Sequence, residues 1–255
     1  MAPQTLFSIG PINVNYYLMA HFLVIFPMLA LALWLGRERG IPGAIVADGW
    51  LVTVISRGAV SPALTAILAS ATGADLPWNW SVTRIVVGLS AMSLYLWLRR
   101  GARPYAGAMW DVVALCMLLD NAIARLGCFA AGCCHGRPAF GLPWAVTFND
   151  PQSACVFLGL PVHPTQLYET VAGLLALGGL LLLRRRPFWR GRMIWASIGA
   201  YAVIRFVVDF YRGDVRPMAG GLTMAQATSL LLFVICAIML LRHLRLVARP
   251  AQAAV

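Results

Sequence analysis

A chain of 255 residues has room for one or two soluble domains, but 60% of these residues are hydrophobic and only 11% are charged, with a mean hydropathy of +0.77. A soluble fold cannot cover that much apolar surface, so a water-soluble enzyme is excluded and an integral membrane protein is expected. The net charge of +11 comes from twenty arginines, and no motif or fold signal directs them to nucleic acid; their placement along the chain is what carries information.

Seven apolar runs near the length that crosses a bilayer follow in chain order: residues 17–35, 50–70, 85–98, 110–129, 165–183, 193–210 and 222–241. The third reaches full length only if residues 78–83 extend it. Before the first run, residues 1–15 have no basic start and contain the turn signal Gly10-Pro11, so no cleavable leader is expected. Arginines gather after alternate runs, at Arg37 and Arg39, at Arg99, Arg100 and Arg103, at Arg184 to Arg186 with Arg190 and Arg192, and at Arg242, Arg245 and Arg249. The positive-inside rule puts these ends in the cytoplasm, which leaves the N-terminus external and the C-terminus cytoplasmic. The expected fold is therefore all-α: one polytopic membrane domain over 1–255, with about seven transmembrane helices and external loops near 72–84 and 130–164.

Ionisable groups at membrane depth cost roughly 2.5 to 3.5 kcal/mol each on insertion scales, so each calls for a partner or a role. Arg205, Asp209 and Arg212 stand at i, i+4 and i+7 on one face of the sixth run, and Arg125 lies near the external end of the fourth. Guanidinium forks in the outer half of a bilayer suit the phosphate of an anionic lipid headgroup, and they equally suit a structural ion-pair network. Arg57 and Asp120, also inside apolar runs, are expected to pair in the bundle interior.

Of the six cysteines, Cys116 and Cys236 fall within apolar runs and read as core residues. Cys128, Cys133, Cys134 and Cys155 fall at or beyond the external surface, where disulfides are permitted, and at least two of them are expected to be bonded. With His135, three of them form C-x4-C-C-H, which is no recognised zinc pattern, and neighbouring ligands strain a tetrahedron; no metal is expected. Reactive thiol chemistry is the alternative to disulfide formation or packing.

The run Ala124-Arg125-Leu126-Gly127-Cys128-Phe129-Ala130-Ala131-Gly132-Cys133-Cys134-His135-Gly136-Arg137 resembles the glycine-rich signature of the prolipoprotein diacylglyceryl transferase family, G-R-x-G-N-F-x-N-G followed by G-R. His163-Pro164-Thr165-Gln166-Leu167-Tyr168-Glu169 matches its H-P-[ST]-Q-L-Y-E, and Arg205-Phe206-Val207-Val208-Asp209-Phe210-Tyr211-Arg212 resembles its R-F-x-x-E-F-x-R. Phe7 to Pro11, Tyr16-Tyr17 and Gly221 to Gln226 also fit, so the likeness runs end to end.

The resemblance implies a multi-pass protein of the bacterial cytoplasmic (inner) membrane that uses no cofactor. It would move the diacylglyceryl group of phosphatidylglycerol, or of another anionic phospholipid, to a cysteine thiol of a preprolipoprotein. Around the lipid headgroup it would place Arg125, Arg137, Arg205, Arg212, Gly127, Gly132, Gly136 and Tyr17, with Asp209, Glu169, Tyr168 and Gln166 supporting them. Arg125 and Arg205 would stabilise the departing phosphate. One departure stands out: the family's H-G-G-L histidine falls on Val86, which cannot take a proton. The remaining imidazoles for that task are His163, His135 and His21. Three readings follow: a diverged lipid-modifying transferase, a catalytically inactive lipid-binding homologue, and a membrane thiol redox protein.

Overall fold

The computed structural model describes the backbone of residues 5–9, 12–56, 80–214 and 221–252, and the side chains of 26–56, 87–214 and 221–245. Among these residues the chain is mainly helical. A hairpin of β1 (Thr5–Ile9) and β2 (Ile12–Asn15) leads into α1 (Tyr16–Glu38), α2 (Gly43–Ile55), α3 (Trp80–Leu98) and α4 (Ala106–Ala131). A second short pair, β3 (Val146–Thr147) and β4 (Pro161–Val162), precedes α5 (Thr165–Leu183), α6 (Met193–Asp209) and α7 (Met224–Gln252). The helical class is as expected from composition; the two strand pairs were not foreseen. Expected features that fall outside the described residues are Arg57, the rest of the second apolar run, and the side chains of Tyr17, His21 and Val86. The proposed pairing of Arg57 with Asp120 is thereby outside them too.

Contacts divide the chain into one unit over Pro27–Val112 and another over Met1–Phe26 with Val113–Val255. In the first, helices approach at two glycines that remove a side chain. A Cβ on Gly36 would lie 2.6 Å from Val46 Cγ2, and one on Gly49 would lie 2.6 Å from the Met109 methyl. Two arginines of the basic clusters find carboxylates here, Arg39 at 3.5 Å from Asp111 and Arg99 at 3.1 Å from Asp48. α2 begins earlier than the apolar pattern indicated, because Gly40 at φ +66° ends α1 and Pro42 restarts the chain at Gly43. α3 begins at Trp80, inside the stretch expected as the 72–84 loop.

In the second unit α5 packs against α4 and α6, and α6 against α7. Gly173 brings α5 to within 3.6 Å of Ala122 Cβ, measured from an ideal Cβ, while Thr170 Oγ1 donates to the Ala122 carbonyl at 3.1 Å. Gly199 of α6 receives Cys236 of α7 in the same way, at 3.5 Å. The surface is inverted relative to a soluble protein. On α5 the buried set includes Thr165, Gln166, Glu169 and Thr170, whereas Leu175 and Leu182 are 72% and 77% exposed. Apolar side chains outside and polar ones inside is the arrangement that a lipid solvent selects. Three stretches among the described residues are long and apolar enough to cross a membrane: Arg100–Ala131, Thr165–Leu183 and Met224–Arg245.

The stretch 130–164, expected as an external loop, is tied down strand by strand. Val146 pairs with Val162 and Thr147 with Pro161. Gly136 N–H donates to the His163 carbonyl at 3.0 Å, and Arg137 N–H to the Tyr211 carbonyl at 2.9 Å. This explains Gly136 without reference to a ligand: a Cβ there would sit 2.4 Å from both His163 Cβ and the His163 carbonyl oxygen. Gly136→Ala is expected to destabilise the protein by about 1–3 kcal/mol through overpacking. Gly178→Ala, in a helical position with open space, should be neutral or stabilising by up to about 1 kcal/mol. Thermal unfolding of both variants in detergent checks the pair, and equal melting would contradict the close approach.

Candidate functional site

Arg125 lies two turns before the end of α4, Glu169 one turn into α5, and Arg205 and Asp209 in the closing turns of α6. Because α4 and α6 end where α5 begins, these groups meet at one end of the unit. The Glu169 carboxylate is shared: Oε2 lies 2.6 Å from Arg125 Nε and Oε1 lies 2.8 Å from Arg205 Nη1. The Arg205 contact is a hydrogen bond. That of Arg125 is a close charge pair whose N–H is off the hydrogen-bond axis, and Glu169 Oε2 has no aligned donor. Arg205 reaches Asp209 through Nη2 at 3.1 Å, as the i, i+4 spacing predicted. Arg212 stands further off, 3.9 Å from Glu169, and takes its main partner in Asp214 at 2.5 Å and 2.8 Å.

The structure sets three guanidiniums against three carboxylates, Glu169, Asp209 and Asp214. The centre is nearly dry, the side chains of Arg125 and Arg205 each being 14% exposed and that of Glu169 2% exposed, while Asp214 at 29% forms the wet edge. α7 closes the site from the other side. Thr223 and Gln226 form a reciprocal cap, Gln226 N–H donating to Thr223 Oγ1 at 3.1 Å and Thr223 N–H to Gln226 Oε1 at 3.0 Å. The Thr223 hydroxyl in turn donates to Asp209 Oδ2. Thr223 was missed as a site residue, although T-x-x-Q before an apolar run is a legible helix start.

Beside this cluster, the Tyr168 hydroxyl accepts from Trp144 Nε1 at 2.9 Å and lies 3.2 Å from His163 Nδ1. The ring of Tyr211 stands 5.2 Å from that of His163 and under the guanidinium of Arg137. Burial, with the Arg137 charge second, lowers the His163 pKa, so its imidazole stays neutral to lower pH than usual. His135 is placed differently. It is buried against Phe157, its Nδ1 lies 3.0 Å from the Gly136 carbonyl, and its Nε2 accepts the Val156 N–H at 3.3 Å. Both ring nitrogens are committed to backbone, which leaves no lone pair for a substrate proton and makes its role structural.

Gln166 Nε2 and Thr165 Oγ1, from the first turn of α5, donate to the carbonyls of Cys133 and Cys134 at 2.7 Å each. Gly132 takes φ +71°, and a Cβ on it would strike Ser153 Oγ. Gly132 and Gly136 therefore serve the packing of the loop itself. All six cysteines are free thiols in the structure. Three of the four expected as disulfide candidates, Cys128, Cys133 and Cys134, are gathered with their sulfur atoms within 4.8 Å of one another, a separation compatible with one soft cation. Cys155 is buried elsewhere. The Cys134 thiol is held below its usual pKa by hydrogen bonds with Cys128 and Cys133, then by the charges of Arg212 and Arg125.

Residues 84–242, which contain this whole cluster, match the family model described as prolipoprotein diacylglyceryl transferase. The chain belongs to that family. Proteins named phosphatidylglycerol--prolipoprotein diacylglyceryl transferase are among its relatives. One from Clostridium tetani is 32% identical over 161 residues, covering 63% of each chain. One from Symbiobacterium thermophilum is 28% identical over 96% of this chain and 93% of its own length, and one from Azospirillum brasilense is 29% identical over 88% and 87%. In this prolipoprotein diacylglyceryl transferase homologue, Glu169 is the piece on which the arginines converge. Glu169→Gln leaves two buried guanidiniums short of a counter-charge and is expected to cost about 3–5 kcal/mol of stability. Unfolding in detergent measures this; wild-type stability would remove Glu169 from the centre of the site.

Proposed function

We propose that this protein transfers the diacylglyceryl group of phosphatidylglycerol to the cysteine thiol of a preprolipoprotein, at the outer face of the bacterial inner membrane. The observation that carries the reading is the convergence of Arg125, Arg205 and Arg212 on Glu169 within a family whose relatives are named for this activity. In the reaction the thiol sulfur attacks the glyceryl carbon that bears the phosphate. The C–S bond forms, the C–O bond breaks, and the electron pair leaves on glycerol phosphate. A departing phosphate in a water-poor site needs preorganised positive charge. Arg125 meets Glu169 through Nε and Arg205 through Nη1; since a guanidinium offers five N–H groups, each fork keeps donors for the phosphate. Glu169 and Asp209 hold the forks in place before the lipid arrives. His163, neutral and beside Tyr168, is the imidazole that receives the thiol proton in place of the family histidine replaced by Val86.

Seven spans, an external N-terminus and a cytoplasmic C-terminus complete the reading, supported by the alternation of the arginine clusters. A C-terminal reporter is expected to be active in the cytoplasmic orientation; activity solely in the external compartment would contradict this topology.

Val86 favours a second reading, a lipid-binding relative without catalysis, and one experiment separates the two. Phosphatidylglycerol binding and diacylglyceryl transfer to a lipobox peptide are measured for wild type, Arg125→Lys, Arg205→Lys and Arg185→Lys, each checked for folding. The first two variants lose the planar fork and are expected to bind about ten- to a hundredfold more weakly, the equivalent of one charge-assisted hydrogen bond. Arg185→Lys, in a basic cluster, should match wild type. Equal binding by all three variants would make the arginines merely structural, and tight binding without transfer would establish the second reading.

A further inference from the structure

The thiols of Cys128, Cys133 and Cys134 take no part in the steps above, yet they are the most concentrated group of soft donors among the described residues. Their sulfur atoms lie within 4.8 Å of one another. A tetrahedral zinc with sulfurs at about 2.3 Å keeps them roughly 3.8 Å apart, so closure asks for a shift of about an ångström. Read along the chain, adjacent cysteines looked unsuited to share an ion, because neighbouring ligands strain a tetrahedron. The backbone here relieves that strain. Cys128 sits in the last turn of α4, and the chain then turns through Gly132 at φ +71° and Cys134 at φ +59°, which brings the two neighbouring thiols to the same place.

The backbone of this turn is fixed independently of any ion. The Cys128 carbonyl accepts the Cys133 N–H at 3.1 Å, the Cys133 carbonyl accepts Gln166 Nε2, and the Cys134 carbonyl accepts Thr165 Oγ1, both at 2.7 Å. Gln166 and Thr165 are each 1% exposed, so the ligand frame is held by buried hydrogen bonds, as functional metal sites require. His135, next in sequence, is no fourth ligand, since both of its ring nitrogens are bonded to backbone. Three protein ligands and an open fourth position are the donor set of catalytic zinc sites, as opposed to closed structural ones. Three thiolates around a divalent cation carry one net negative charge.

We propose that Cys128, Cys133 and Cys134 bind one thiophilic divalent cation of the zinc class, and that its open position takes the acceptor thiol of the transfer reaction; the second half rests on the transferase reading. An ordinary cysteine titrates near 8.5 and is mostly protonated at neutral pH, whereas a thiol coordinated to zinc is deprotonated outright. The acceptor R–SH binds as thiolate and its proton leaves to water or to His163. The sulfur then forms the C–S bond while the C–O bond to phosphate breaks, with no change of oxidation state. A metal-held thiolate supplies what Val86 cannot.

The test uses the full chain purified in detergent. Reduced, metal-free protein is titrated with Co²⁺ and then Zn²⁺. One equivalent of Co²⁺ should bind with a thiolate-to-cobalt charge-transfer band that Zn²⁺ abolishes, and Cys128→Ser, Cys133→Ser and Cys134→Ser should each weaken binding at least about tenfold. Cys236→Ser, buried in α7 away from the cluster, should bind as wild type does. Absence of the band in folded wild type, or a disulfide among the three cysteines in protein alkylated directly in native membranes, overturns the site regardless of how the variants fold. Transfer to a lipobox peptide should be lost on chelation and restored by Zn²⁺. Transfer that persists in metal-free protein overturns the thiol-activating role. Metal binding without transfer under any condition leaves the site standing and instead rejects the transferase reading.

Discussion

A single carboxylate inside an apolar bundle organises this end of the molecule. Glu169 is 1% exposed, and an ionised group so placed, left alone, would cost several kcal/mol. It is tolerated because Arg125 comes from α4 and Arg205 from α6 to flank it. The dependence is mutual for Arg125, which meets Glu169 at 2.6 Å, whereas Arg205 also has Asp209 at 3.1 Å. α4, α5 and α6 are thus locked together by charge as well as by the glycine-mediated contact at Gly173. Asp209 extends the lock to α7 through the Thr223 hydroxyl, so four helices share one network. Preorganised charge is what the departure of a phosphate in a water-poor site demands, and in the function proposed above the contacts that hold the fold would also serve the chemistry.

The same end of α5 controls the loop between α4 and α5. Thr165 and Gln166 hold the carbonyls of Cys133 and Cys134, while backbone bonds of Gly136 and Arg137 reach His163 and Tyr211. Three sequence motifs that lie far apart along the chain are therefore one structural object: the glycine-rich run, the H-P-T-Q-L-Y-E run and the R-F-V-V-D-F-Y-R run. A substitution in one is felt by the other two, which accounts for the specificity of the family signature without requiring each matched residue to touch substrate. Gly132 and Gly136 closely approach Ser153 and His163, and both ring nitrogens of His135 meet backbone.

Much of the helical frame was legible because membrane-length apolar runs leave few alternatives; α5 falls on the 165–183 run residue for residue. The i, i+4 pair of Arg205 and Asp209 was readable for the same reason, being local to one helix. Glu169 was named in a supporting role, but its position between two arginines was not readable, because partners 44 and 36 residues away in sequence are joined only by helix packing. The cysteines of the cluster were named together but expected to hold no metal, and their gathering depends on the left-handed turn at Cys134, which spacing does not show. The β3–β4 pair escaped notice because two-residue strands carry no period-2 signal.

The central claim is that a lipid phosphate enters the arginine cluster organised by Glu169. Its most direct test is an experimental structure of the protein in a bilayer containing phosphatidylglycerol, at a resolution that places the headgroup. The account predicts phosphate density within hydrogen-bond reach of Arg125 and Arg205, with Glu169 still bridging the two guanidiniums. A headgroup bound elsewhere on the bundle, with the cluster closed and unchanged, would contradict it.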